Sequence, residues 1–315
     1  MSLRSVPLRT GEAVELGHAL IERTAADACV RVLFIKGPSL AFHGLREARA
    51  SADVDVLVSP SDEDALLSPL RSAGWHERPY GTHDKEFVTH SVTLIHEGWP
   101  CDLDVHRAFP GFLADAGEVF DALWERRVVL TQANHEIAVP DRAASILILA
   151  LHSLRGSVKI ARHATELDGL VERLRGMTDA ERDDLVELAR RTGCRATLAP
   201  FFERIGAPLG AGEIDWDDPA YVLWRKRVES GSIVAHFWLE LVGRLPWHRV
   251  PRETLRAFWP SPAEMRIIHP ETAAGWRAVT AARWNRLLRG TRDVGPVLAS
   301  RRRVARERRA MGERR

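Results

Sequence analysis

The feature that most constrains this 315-residue chain is the stretch Asp53-Val54-Asp55-Val56-Leu57-Val58. Its acidic and apolar residues alternate with a period of two, which is the pattern of a β-strand with one buried face. In such a strand the carboxylates of Asp53 and Asp55 lie side by side. Adjacent carboxylates repel each other unless a cation lies between them, and oxygen ligands suit Mg²⁺. The stretch therefore predicts a sheet with a candidate metal site on one face and a core on the other.

A glycine turn precedes this strand in the sequence Leu33-Phe34-Ile35-Lys36-Gly37-Pro38-Ser39. The apolar residues 31–35 predict a buried strand, and a short helix is expected over residues 39–45. A strand that ends in a glycine turn and passes directly into a helix exposes backbone N–H groups that can bind phosphate oxygens. Lys36 stands next to this turn and is one of only four lysines in the chain.

A second acidic strand is predicted by Asp102-Leu103-Asp104-Val105-His106. It can add a carboxylate to the same site, which would then combine three carboxylates, a phosphate-binding turn and a divalent metal. Two metal ions on such a cluster can stabilise the attacking and leaving oxygens of a displacement at phosphorus. In that scheme Asp53, Asp55 and Asp104 hold the metal, and Asp104 can also accept the proton of the attacking hydroxyl.

Composition excludes several other classes of protein. The chain has 45 Lys+Arg, 43 Asp+Glu and 45% hydrophobic residues, which is unlike a disordered chain. No apolar run is long enough to predict a membrane-spanning helix, and the opening residues lack the apolar region of a signal peptide. Three widely spaced cysteines favour neither disulfides nor a zinc site, so we expect a cytoplasmic protein.

The pattern divides the chain near residue 140. Before it, helices are expected over residues 12–26 and 61–72, the second with a capping box formed by Ser61 and Asp64 and an early end or kink at Pro69. Three more strands are predicted over residues 85–89, 91–96 and 101–106. The mixture indicates an α+β domain over residues 1–140 with a mixed sheet and flanking helices.

Residues 141–315 predict an all-α helical domain that ends in an arginine-rich tail. Helices are expected over residues 143–154, 160–175, 179–191, 195–205, 220–242, 252–258 and 271–288. The tail from Arg301 to Arg309 can bind phosphates, but a solvated helix end is the favoured interpretation. Tryptophans are frequent here, and we expect them in the core rather than stacked on bases.

The motifs together resemble the DNA polymerase beta-like nucleotidyltransferase superfamily, and more closely the bacterial family of uncharacterised nucleotidyltransferases. The matching residues are Ile35-Lys36-Gly37, Arg49, the strand from Asp53 to Val58, and Leu103-Asp104-Val105-His106. Weaker matches follow around His152 and near Asp168. The resemblance covers roughly residues 30–170.

This resemblance implies a polymerase-beta-like fold and a Mg²⁺-dependent (or Mn²⁺-dependent) enzyme. The enzyme would transfer a nucleoside monophosphate from an NTP to an acceptor and release pyrophosphate. The implied metal ligands and catalytic residues are Asp53, Asp55 and Asp104. The implied nucleotide-binding residues are Lys36, Gly37, Ser39, Arg49 and His152. The acceptor can be a small molecule, a peptide, a protein or an RNA end, and the absence of a large basic patch outside the tail disfavours a long nucleic acid.

Several alternatives stay open from the sequence. The chain departs from the superfamily at Pro38, where a Ser or Gly often contacts phosphate, and in a longer spacer before Asp53. Both departures fit a catalytically degenerate module that binds a nucleotide or a partner, and a component acting on tRNA is a third possibility. Arg49 can contact a triphosphate or pair with Asp53 or Asp55. His106 and His152 can serve the site or simply fill the core.

Overall fold

A computed structural model shows a five-stranded mixed sheet in the first part of the chain. The structure describes residues 8–49, 51–79, 90–155, 161–210, 215, 217–229, 239, 241–268 and 275–312. The strands of the sheet are β1 (Val32–Phe34), β2 (Asp53–Val58), β3 (His76–Glu77), β4 (Ser91–Ile95) and β5 (Asp102–His106). Their order is β1-β2-β5-β4-β3. The mixed sheet confirms the predicted α+β class.

The β2–β5 pair runs parallel, whereas the other neighbouring strands pair antiparallel. In this pair Asp53 lies opposite Asp102 and Asp55 lies opposite Asp104. The parallel direction needs a crossover, and the chain makes it through a helix and the two outer strands β3 and β4. The acidic residues of both strands therefore share one face of the sheet.

The opposite face of β2 lies in the hydrophobic core, as the alternation predicts. Val54, Val56 and Val58 are fully buried and belong to one apolar cluster. The cluster also contains residues of two helices, α1 (Thr10–Asp27) and α3 (Glu63–Ser72). The short helix α2 (Gly37–Phe42) follows β1. Burial of one face fixes the strand register, because a slip by one residue would put the aspartates into the core.

Besides the two-residue strand β3, the sequence patterns did not predict two further elements of the α+β part. One is helix α4 (Ala116–Glu125), whose N-cap Asp115 accepts hydrogen bonds from the backbone N–H groups of Gly117 and Glu118. The other is an antiparallel hairpin of β6 (Val128–Gln132) and β7 (His135–Val139). Its turn residues Ala133 and Asn134 both have positive φ. This turn lacks the glycine that usually reveals such hairpins in a sequence.

Helices dominate the described chain from residue 141 onward. Those that follow directly are α5 (Arg142–Arg155), α6 (Ala161–Arg173), α7 (Asp179–Arg191) and α8 (Ala199–Arg204). Of the described residues, 8–78, 90–153 and 162–210 form one compact unit. The helices up to α8 therefore pack with the sheet, and a domain boundary at residue 140 stays a prediction.

A second compact unit contains the remaining helices. They are α9 (Pro219–Glu229), α10 (Val250–Phe258), α11 (Pro262–Ile268) and the long α12 (Trp276–Gly312). Arg225 on α9 forms an ion pair with Glu307 on α12, so the predicted tail is a helix that packs on its neighbours. Trp224 is buried, but Trp247, Trp259, Trp276 and Trp284 are exposed, so the expectation that these tryptophans fill the core is wrong for those four.

The structure corrects two local predictions around α3. The helix begins after Asp62, and Ser61 donates a hydrogen bond to the Asp62 carboxylate instead of capping the helix. The predicted capping box is therefore wrong. Helix α3 also continues through Pro69 to Ser72, because Leu66, Leu67 and Leu70 are buried in the core and hold its last turn in place. The strand predicted over residues 85–89 lies outside the described residues.

Among the described residues, no helix is both long enough and apolar enough to cross a membrane.

Gly193, which follows helix α7, packs closely against the backbone of the segment that follows β5. It has a φ of +71°, and a Cβ atom there would lie 2.6 Å from the backbone nitrogen of Ala114. We expect Gly193→Ala to lower the free energy of unfolding by about 2–4 kcal/mol, because it adds a backbone clash to an unfavourable φ. Gly206→Ala is the matched control, with a φ of +76° and open space around it. It should cost only about 1 kcal/mol. Equal losses in urea unfolding would contradict the close approach.

Candidate active site

The glycine turn brings Lys36 to the acidic face of the sheet. Lys36 and Gly37 both have positive φ, 64° and 47°, and such a backbone is strained for a lysine. The turn directs the Lys36 side chain back to β2, where its Nζ lies 2.6 Å from Oδ1 of Asp55. Ser39 is fully buried, and its hydroxyl lies 3.3 Å from that of Ser145 on α5. The turn therefore adds a cation to the carboxylates predicted from the sequence.

Asp55 is the most strongly compensated carboxylate of the site. Its Oδ1 atom accepts hydrogen bonds from Lys36 and from His106 Nε2, the latter at 3.0 Å. Burial alone would raise the pKa of Asp55. The hydrogen bond from His106 and the charge of Lys36 outweigh burial, so the pKa lies well below the ordinary value. Asp55 is therefore an ionised carboxylate held between two donors.

Asp104 lies opposite Asp55 on the neighbouring strand, but its environment raises its pKa instead of lowering it. Burial raises the pKa of Asp104, and the negative charges of Asp55 and Asp53 raise it further, although a 2.5 Å hydrogen bond from the Thr93 hydroxyl partly opposes them. Asp53 itself accepts a hydrogen bond from Ser51. Asp53, Asp55 and Asp104 share this face of the sheet, and a bound cation would relieve the repulsion between their carboxylates.

Asp102 shares the face of Asp104 but is not part of this group. Its carboxylate pairs with Arg78, and both side chains are partly exposed. The assignment of Asp104 rather than Asp102 to the metal site stays a prediction that follows from the resemblance. The pair also offers a natural comparison, because the two aspartates differ in their surroundings but lie on the same strand.

The donor atoms of Asp55, Asp104 and His106 fit a divalent cation. One ligand atom from each lies within 4.8 Å of the others, a spacing that small side-chain movements can close around an ion. Carboxylate oxygens suit Mg²⁺ or Mn²⁺. His106 Nε2 already bonds Asp55, and the buried Nδ1 of His106 has no hydrogen-bond partner among the described residues. His106 therefore orients the carboxylate of Asp55.

Two of the predicted nucleotide-binding residues meet in a separate cluster. Arg49 lies 3.4 Å from Oε1 of Glu166 on α6, so it pairs with neither Asp53 nor Asp55. His152 on α5 lies with its ring centroid 5.3 Å from that of His163 on α6. One ligand atom from each of His152, His163 and Glu166 lies within 4.8 Å of the others. Arg49 and His152 thus belong to one group of charged and polar side chains.

The sequence patterns missed three residues of these clusters. His163 and Glu166 stand three positions apart on α6, a spacing that places both side chains on one face of the helix and could have indicated the cluster from the sequence. His18 is the third. Its buried ring packs against Phe34, and its Nε2 lies 3.9 Å from where a Cβ of Gly37 would be. Burial lowers the pKa of His18, which favours a neutral ring beneath the glycine turn.

Two solved structures are similar to parts of this chain. A search of curated proteins finds no match to the chain. Among solved structures, the chain is similar to the lincomycin-bound lincosamide antibiotic adenylyltransferase LnuA, with 16% identity and a TM-score of 0.33 over 50% of this chain and 94% of that one. It is also similar to an antigenic nucleotidyltransferase-like protein from Paracoccidioides brasiliensis, with 13% identity and a TM-score of 0.38 over 65% of this chain and 97% of that one.

A family model also matches the sequence of this chain. It matches residues 12–207, which include the sheet, the glycine turn, the acidic strands and the helices that carry His152 and Glu166. The match begins in α1 and ends just after α8, within the first compact unit. The chain belongs to the family described as uncharacterised nucleotidyltransferases.

Proposed function

We propose that this nucleotidyltransferase moves a nucleoside monophosphate from an NTP to an acceptor hydroxyl and releases pyrophosphate. The observation that carries the proposal is the parallel pairing of β2 and β5, which sets Asp55 opposite Asp104 on the face that also holds Asp53. Lys36 at the glycine turn adjoins the same face. Acidic groups that bind metal beside a turn suited to phosphate are what phosphoryl transfer requires.

In this proposal Asp53, Asp55 and Asp104 hold Mg²⁺ or Mn²⁺. The bound metal would polarise the reacting phosphate and stabilise the charge that develops on its oxygens. His106 keeps Asp55 in position through its Nε2 hydrogen bond. Thr93 does the same for Asp104. Asp104 would also accept the proton of the attacking hydroxyl.

Nucleotide binding is proposed for Lys36, Gly37, Ser39, Arg49 and His152. Lys36 is bound to Asp55 in the structure, so it can turn to a phosphate once a metal ion compensates that carboxylate. Ser39 is buried, and a phosphate would approach the backbone of its turn more easily than its hydroxyl. Arg49 is nearly half exposed, with 44% of its side chain accessible, and can therefore reach a bound ligand.

The alternative is a degenerate module that binds a nucleotide without turnover. The Lys36–Asp55 ion pair is the observation in its favour, because a lysine that permanently compensates Asp55 would make a metal unnecessary. The two functions differ in their products. Incubation of the protein with Mg²⁺, each labelled NTP and a cell extract should yield a labelled acceptor together with pyrophosphate. Nucleotide binding with neither product would favour the module.

The aspartates of β5 provide a matched test of the catalytic proposal. Asp104→Asn should lower the rate of pyrophosphate release at least about 100-fold, because it removes a charged metal ligand. Asp102→Asn changes the same residue type on the same face of the same strand, but Asp102 pairs with Arg78. It should leave the rate within about threefold. Equal effects of the two substitutions would contradict the assignment of Asp104.

The ion pair of Lys36 yields a second prediction. Lys36→Gln should tighten Mn²⁺ binding in the absence of nucleotide by about tenfold, because it removes a positive charge that competes for Asp55. Electron paramagnetic resonance of free Mn²⁺ measures this binding directly. Lys226→Gln is the control, since Lys226 lies in the second compact unit. Unchanged Mn²⁺ affinity in Lys36→Gln would show that Asp55 is not a metal ligand.

A further inference from the structure

In a cluster on α5, α6 and the loop after α2, positively charged side chains outnumber the acidic ones. Its members, here called the Glu166 cluster, are Arg46, Arg49, His152, Arg162, His163 and Glu166. The set contains three guanidinium groups and a single carboxylate, which is contacted by those of Arg46 and Arg49. Glu47 and Asp168, the nearest acidic residues in the sequence, pair instead with Arg173 and Arg204.

The one carboxylate of the cluster compensates its arginines only weakly. Arg46 and Arg49 both approach Oε1 of Glu166, at 3.5 and 3.4 Å. These distances are longer than the roughly 2.7–2.9 Å of a strong charge-assisted hydrogen bond. A single oxygen atom of Glu166 thus pairs with two guanidinium groups, and both pairs are long. The Glu166 side chain is itself largely buried.

Polar atoms without hydrogen-bond partners occur in the same cluster. Nε of Arg46 and Nδ1 of His163 are buried and have no hydrogen-bond partner among the described residues. Burial lowers the pKa of Arg46, and the charges of Arg49 and Arg162 lower it further. Buried polar atoms without partners are rare in proteins and commonly mark a place where a ligand or water completes the network.

The sign of the charge decides which ligand fits. Two histidines and a glutamate alone would suggest a transition metal. The guanidinium groups of Arg46 and Arg49 contact that glutamate, however, and a divalent cation would be repelled by them. An anion would instead be attracted by them and could accept hydrogen bonds in the bidentate geometry that arginine offers to phosphate.

We infer that the Glu166 cluster is a phosphate-binding site that recognises a dianionic phosphate group through Arg46, Arg49, Arg162 and His163. The phosphate can belong to the tail of the NTP or to a phosphorylated acceptor. Its assignment to the NTP tail rests on the proposed function, whereas the binding of phosphate does not. Glu166 would act as the internal anion that the phosphate displaces from the arginines.

Isothermal titration of the full chain with inorganic pyrophosphate in the presence of a chelator tests the site without the metal. Arg49→Gln should weaken pyrophosphate binding roughly tenfold, because it removes a charge-assisted hydrogen bond. Arg173→Gln is the matched control, since it removes an arginine of the same helix that carries Glu166 but pairs with Glu47. It should leave the affinity within about twofold.

Glu166→Gln separates an anion site from a cation site by the direction of its effect. It should tighten pyrophosphate binding about fivefold, because the competing carboxylate is lost. At a metal site the same substitution would abolish binding of Zn²⁺, which serves as the second probe. Zn²⁺ binding that Glu166→Gln removes would overturn the inference. So would pyrophosphate binding that is absent from the wild type or unaffected by Arg49→Gln.

Competition with a non-hydrolysable NTP analogue then identifies the source of the phosphate. Displacement of pyrophosphate by the analogue, with both weakened in Arg49→Gln, supports the NTP tail. Simultaneous binding, with analogue affinity unchanged in Arg49→Gln, supports a phosphorylated acceptor. If pyrophosphate binds metal-free protein as predicted while no nucleotidyl transfer is found, the phosphate site stands and the proposed function fails.

Discussion

The parallel pairing of β2 with β5 is the interaction on which the site depends. It brings together carboxylates that lie about fifty residues apart in the sequence, and it does so in a fixed register, Asp55 opposite Asp104. The register is held from the other side of the sheet, where the valines of β2 are buried in the core. Core packing therefore sets the geometry of the charged face.

Electrostatic compensation is the second constraint. Three carboxylates on one face would destabilise the fold if nothing opposed their repulsion. Lys36 and His106 share Asp55, and Thr93 binds Asp104. The strained backbone of Lys36 fits this need, since a positive φ turns the lysine back to β2. The protein thus holds an internal cation where the proposed metal would bind.

The sequence predicted those parts of the structure that depend on local pattern. The alternation of β2, its buried valines and the adjacent glycine turn follow from residues close together in the chain. A shared site for Asp55 and Asp104 was a hypothesis from the repeated acidic pattern and the resemblance, because alternation alone does not give the direction or order of strands. The pairing of Arg49 with Glu166 spans 117 positions and left no periodic signal. The β6–β7 hairpin was missed because Ala133 and Asn134 form its turn without glycine.

The central claim is that the acidic face of β2 and β5 binds a divalent metal and an NTP together. The most direct measurement is the affinity of a non-hydrolysable NTP analogue with and without Mg²⁺, in the wild type and in Asp53→Asn. The account predicts that Mg²⁺ strengthens analogue binding to the wild type and has no such effect on the variant. Binding that is equally tight with and without Mg²⁺ in the wild type would contradict it.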